Sequence, residues 1–198
     1  MGHSQAEKAE NRERILSHAS RQVRRDGLES VSVGTLMNSV GLTHGGFYGH
    51  FESRSALLAE ALERALLEGA TKARGSGGPQ SLSDIARGYL SRAHRDARDS
   101  GCAMAALVSD VARADASSRE VMTGHIEAFI ASVSETLGGD REAAMVAVSA
   151  MVGALALSRV ITDPARSDAL LKSVRDHLKA LEVRDQSGSR RGAEPDKT

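Results

Sequence analysis

Apolar residues recur along this chain at three- and four-residue spacing, the period of helices, and nowhere alternate as a strand requires. Between Glu7 and Arg25, Ile15, Ala19 and Val23 fall on one face with Leu16 beside them, and charged residues fill the rest. Asp26-Gly27 ends this segment, because Gly readily takes the left-handed conformation that closes a helix. Leu28 and Val31 lead into Ser32, a good N-cap residue, and a short helix is predicted from Val33 to about Val40 with Leu36 and Val40 inward. Gly41 stops it, and Thr43 can cap a further short helix from His44 to about His50. Ser53 caps a long helix in which Leu57, Leu58, Ala61, Leu62, Ala65 and Leu66 form one apolar stripe.

Gly75-Ser-Gly-Gly-Pro79 is the clearest break in the pattern. Five more helices are predicted beyond it: Ser81–Asp99, Gly101–Ala114, Ser117–Leu137, Asp140–Ile161 and Ala165–Leu181. The first carries Leu82, Ile85, Ala86, Tyr89, Leu90 and Ala93 on one face. The fourth is apolar nearly all round, which requires burial on several sides, in a large core or against a partner chain. From Val183 the composition turns to Ser, Gly, Arg, Asp and Pro, and a disordered tail is predicted over 183–198. The expected fold is therefore all-α with about nine helices. A three-helix domain over 8–54, with a helix-turn-helix at 31–50, precedes a helical domain over 55–182, and the helix at 54–74 bridges the two.

Composition narrows this picture. Of the 198 residues 40% are hydrophobic but only 3% aromatic, with no Trp, so the core is built from Ala, Leu, Val and Met. Lys+Arg and Asp+Glu balance at 26 each, and that neutrality counts against a nucleic-acid partner unless charge is segregated. It is, weakly, since no Asp or Glu lies between Glu29 and Glu52. Cys102 is the single cysteine, which excludes an intramolecular disulfide and fits a reducing compartment. Met1 to Arg14 is too polar for a signal peptide, and Ala143–Leu157 is short for a span and interrupted by Ser149 and Gly153. A soluble cytoplasmic protein is expected.

The segment from Val31 to Arg54 carries the most chemistry. Two short helices joined by a Gly turn is the geometry that lays the second helix in a major groove of double-stranded DNA. Ser32 and Thr43 stand at helix starts; Gly45, Gly46 and Gly49 leave little between backbone and DNA. Tyr48 and His50 offer donors to phosphate oxygens, and Arg54 a fixed positive charge. The plainer reading is a Gly-rich connection between structural helices.

Gly41-Leu-Thr-His-Gly-Gly-Phe-Tyr-Gly-His-Phe51, followed by Glu52-Ser-Arg-Ser-Ala-Leu-Leu58, closely resembles the signature of TetR/AcrR-family regulators. The resemblance spans about Arg12 to Leu66, and the order of helices fits to Leu181. It implies that Thr43, Tyr48, His50 and Arg54 contact phosphates, that His44 and Gly45 lie near bases, and that Phe47 and Phe51 anchor the core. Two positions depart from the family pattern: Gly46 stands where a small side chain is common, and Arg54 replaces Lys. Each helical Gly costs about 1 kcal/mol against Ala, so the recognition helix should be marginal alone and firm up on DNA.

The resemblance further implies a ligand-responsive regulator, usually a repressor, that binds a palindromic operator as a homodimer through helices at about 140–161 and 165–181. It places an effector pocket among the middle helices, for which Tyr89, Cys102, Met104, Met122, Phe129 and Met151 are candidate lining residues. A Met at helical spacing is more often plain core. Cys102, with Arg95 and Arg98 nearby, could sense electrophiles or oxidants, although a small buried hydrophobe is the commoner role of such a residue. A helical adaptor that uses the fold without DNA is a further alternative. No nucleophile elbow, phosphate loop or paired carboxylates argue for an enzyme, and the scattered histidines give no metal or cofactor site.

Overall fold

The computed structural model describes residues 5–74 and 80–191, and the side chains of 5–69 and 80–181. Every regular element among them is helical: α1 (Gln5–Asp26), a 3₁₀ turn (Leu28–Ser30), α2 (Val33–Ser39), a 3₁₀ recognition helix (His44–Gly49), α3 (Arg54–Arg74), α4 (Leu82–Tyr89), α5 (Arg92–Asp96), α6 (Ala103–Val111), α7 (Ala116–Thr136), α8 (Arg141–Val160) and α9 (Pro164–Arg191). The all-α expectation holds.

The chain packs as two compact units, one formed by residues up to Lys72 with Ala97–Ile126, the other by Ala73–Asp96 with residues from Glu127 onward. In the first, the expected stripes meet. Ile15, Ala19 and Val23 of α1 and Leu36 and Met37 of α2 bury against Leu57, Ala61, Leu62 and Ala65 of α3, with Phe47 and Leu107 of α6 in the same core. Gly27 and Gly41, at φ +89° and +74°, close α1 and the turn after α2. Ser53 caps α3 by accepting the Ala56 N–H at 3.0 Å. A cut at residues 54 and 55 follows the order of segments. Packing instead places α3, α6 and the start of α7 with α1 and α2.

In the second unit Leu82, Ala86, Tyr89 and Leu90, Ala144, Ala147, Met151 and Leu155, and Leu171 and Leu178 are buried on α4 and its end, α8 and α9. The helix predicted over Ser81–Asp99 is two helices. Ser91 Oγ accepts the His94 N–H at 3.1 Å and caps α5, and His94 Nδ1 lies 2.8 Å from the Tyr89 carbonyl that α4 leaves open. Ala93, expected inward, is exposed.

α8, set aside as a membrane span on sequence, is long and apolar enough to cross a membrane by length and composition. Here it packs along α9 and against α4 and α5 on one side and leaves Val146, Leu157 and Val160 exposed. α9 continues through Arg191, past the end expected at Leu181, because no proline stops it. The break at Gly75–Pro79 and residues 192–198 of the predicted tail lie outside the described residues.

Candidate nucleic-acid interface

The recognition helix is held from beneath by aromatics. Phe47 is fully buried, edge-on to Tyr48 at 5.2 Å and stacked on Phe51 at 5.7 Å. The Arg12 guanidinium lies 4.8 Å over the Phe51 ring. With Phe47 inward, its neighbour Tyr48 points out and is 69% exposed. Thr43, His44, Gly45, Gly46 and Gly49 are exposed beside it, and His50 is half-buried. Gly46 N donates to Thr43 O at 3.0 Å and His50 N to Phe47 O at 2.9 Å, both three-residue bonds. An α-helix to His50 was expected; three glycines in six residues leave too little helical propensity, and the tighter 3₁₀ form results.

Ser32 and Thr43 occupy N-cap positions with extended backbone, but neither side chain bonds a first-turn amide. Their capping is positional only. Both residues are exposed at the starts of their helices. A Cβ on Gly34 would lie 4.0 Å from the His44 ring, so the start of α2 sits beside the start of the recognition helix. The Arg14 guanidinium donates to the Val40 carbonyl and holds the end of α2. Sequence reasoning missed Gly34 and Arg14; a Gly in the first turn of α2, where Ala would be the better helix former, was the available signal.

Residues 15–61, which contain this whole face, match the profile of the bacterial regulatory proteins of the tetR family. Over these residues the chain carries the N-terminal domain of that family. Solved structures extend the TetR fold over most of the chain. NemR of E. coli, in its reduced form, is similar at TM-score 0.71 and 21% identity, over 86% of this chain and 96% of that one. SCO4454, a TetR-family transcriptional regulator of Streptomyces coelicolor, is similar at TM-score 0.66 and 24% identity, over 88% and 97%. A TetR-family regulator of Agrobacterium tumefaciens is similar at 0.69 and 19%, over 86% and 98%. No curated protein matches the chain by sequence.

In this TetR-type head Arg54 faces its own backbone. Nε donates to Val31 O at 2.9 Å and Nη2 to Leu28 O at 3.4 Å, with Glu29 at 3.2 Å. Its fork ties α3 to the α1–α2 turn, so Arg54 serves as a positioning residue. From Gly27 to Ser53 there is no Lys or Arg, and the outward face offers hydroxyls, amides and imidazole.

The six candidate pocket residues divide three to each unit. Tyr89 stacks on Phe129 at 5.5 Å, with Met151 fully buried in the same unit. In the other unit Met122 belongs to the core cluster and Met104 packs against it. Cys102 is 5% exposed, and its sulfur accepts the Ala105 N–H at 3.4 Å at the start of α6. An open groove of about 490 Å³ runs along α3 and α7, lined by Ala59, Glu63, Arg64, Leu67, Glu68 and Val121, with none of the six among its walls. Its charges are paired: Arg24 and Arg64 reach Glu68 at 2.6 and 2.8 Å, and His125 reaches Glu63 at 3.2 Å. Burial pushes the Glu68 carboxyl up, but hydrogen bonds from Arg64 and Arg24 outweigh it and hold the group below its ordinary value.

Proposed function

We propose that the chain is a ligand-responsive transcriptional repressor that binds a palindromic operator as a homodimer and is released by a small molecule. The observation that carries this is the row of exposed Thr43, His44, Gly45, Gly46 and Tyr48 on a helix anchored through buried Phe47. Thr43 and Tyr48 hydroxyls, with the first-turn amides, contact phosphates; His44 reaches base edges; the glycines let the backbone approach. Ser32 adds a phosphate contact from the start of α2, and half-buried His50 another from the C-terminal end of the recognition helix. Arg54 contributes by fixing the turn rather than by touching phosphate.

The dimer forms through α8 and α9. Val146, Leu157 and Val160 are 63%, 59% and 76% exposed, and nothing lies within 4 Å of a Cβ placed on Gly153, so a second copy has room to approach. An effector acts by favouring a conformer whose two recognition helices are wrongly spaced. The burial of Cys102 supports a core role for it over a sensing one. A cytoplasmic location goes with this function.

Selection of bound sequences from random duplexes by the full chain, repeated with candidate ligands, tests the proposal. An enriched palindrome is expected, and Tyr48→Phe should weaken its binding roughly fivefold to tenfold in a gel shift. A chain that enriches no sequence at low salt does not have this function and fits the adaptor reading instead.

A further inference from the structure

We infer that Asp110 of α6 is a positioning residue for DNA recognition, holding the α1–α2 turn through the Leu28 amide and so setting the pose of the recognition helix. The inference rests on the DNA-binding function proposed above. Leu28 N donates to Asp110 Oδ2 at 3.2 Å, across 82 residues of sequence. A Cβ at Gly27 would lie 2.6 Å from the same oxygen, and Gly27 has φ +89°. The turn therefore lies directly against the Asp110 carboxylate, in a backbone conformation that favours glycine. The Asp110 side chain is 33% exposed, and Arg113 stands 3.3 Å from its other oxygen.

The opposite side of the turn is held too. Arg54 donates to the carbonyls of Leu28 and Val31, so the Leu28 residue is fixed at its N–H by α6 and at its C=O by α3. Val31 passes through Ser32 directly into α2. The carbonyl of Met37 on α2 accepts the Leu42 N–H at 2.9 Å, and Met37 Cε is 3.8 Å from where a Cβ of Gly46 would stand. A shift of the turn thus carries to the recognition helix through contacts that are each short. The Ser55 hydroxyl of α3 donates to Asp115, a second tie between the loop after α6 and the head.

The test uses the full chain, the duplex that the wild-type protein enriches, and an unrelated duplex of equal length. Asp110→Ala is expected to lower affinity for the enriched duplex roughly tenfold while leaving the unrelated duplex unaffected. Asp110→Asn keeps a carbonyl oxygen as acceptor and should recover affinity to within about threefold. The Leu28 amide resonance should move farther in the Ala variant than in the Asn variant. Undiminished binding by Asp110→Ala overturns the inference, and so does equal loss on both duplexes, which marks a smaller folded fraction only. If Asp110→Ala does not fold, exchange of the Leu28 N–H in the wild-type chain decides. Slow exchange supports the bond, and exchange as fast as an open amide overturns it. A wild-type chain that enriches no duplex overturns the DNA-binding function and this inference together, whereas enrichment with an indifferent Asp110→Ala overturns this inference alone.

Discussion

At Gly27 an added Cβ would meet Asp110 Oδ2 at 2.6 Å with φ at +89°, whereas at Gly46 it would meet Thr43 Oγ1 at 3.6 Å, an ordinary contact, with no positive φ. The same substitution should therefore have opposite signs at the two sites. Gly27→Ala is expected to cost about 2 kcal/mol, and Gly46→Ala to add about 0.5–1 kcal/mol by removing backbone freedom from the recognition helix. Thermal melts of the two variants check this, and a shift of the same sign in both would refute it. Asp115 supplies a pH-dependent case. Its carboxyl is held below its ordinary value first by the Ser55 hydroxyl and then by the Ser118 N–H. That amide, 2.8 Å away, opens α7. A depressed folded-state pKa means a contribution present above the unfolded value, about 3.9, and lost as pH falls through the folded one. Asp115→Ala should cost about 1 kcal/mol at neutral pH, with the gap to wild type closing toward pH 3. Urea titrations at the two pH values would expose a gap that does not close.

Among the elements, Arg54 separates two roles that a positive charge could play. If it only attracted phosphate, Lys would serve as well. Since its planar fork spans Val31 O, Leu28 O and Glu29, Arg54→Lys is expected to lower stability by about 1 kcal/mol despite the retained charge, as read by chemical denaturation. An unchanged midpoint would return Arg54 to the phosphate. Two of the three partners of Arg54 were illegible in the sequence because they are carbonyls 23 and 26 residues away, and any residue type presents a carbonyl. Apolar stripes, by contrast, were legible: the periodicity in α1 and α3 names the large apolar residues that those helices bury, though not the polar Asn11, Ser20 and Arg24 buried on α1. Phe47 and Phe51 were read as anchors from the family resemblance rather than from periodicity, and both are buried. The division between α4 and α5 was not, because Leu82 to Leu90 keeps helical period, and Gly88, one residue inside the end of α4, is a weak stop beside that run. What interrupts it is the Ser91 hydroxyl and His94 ring competing for backbone groups, a choice that composition leaves open.

For the molecule as a whole, the unpartnered side of α8 is the feature that the protomer does not explain. Val146, Gly153, Leu157 and Val160 follow one another at seven, four and three residues and so share one narrow face, about 21 Å long at helical rise. Exposed apolar side chains scattered singly are common on any surface, but a stripe of this length along a helix is costly to leave in water. Because these side chains are already exposed in the protomer, charges placed there should leave its own stability within about 0.5 kcal/mol. In a dimer joined across α8 the same charges would be buried and unpaired. Val146→Glu with Leu157→Glu is therefore expected to give a folded monomer by sedimentation equilibrium. A palindromic duplex engages both heads at once, so losing the second head should weaken binding by about a hundredfold or more, while binding to a half-site changes little. A double variant that still sediments as a dimer would move the interface elsewhere. A monomer that keeps full affinity for the palindrome would show that the paired heads are not what reads it.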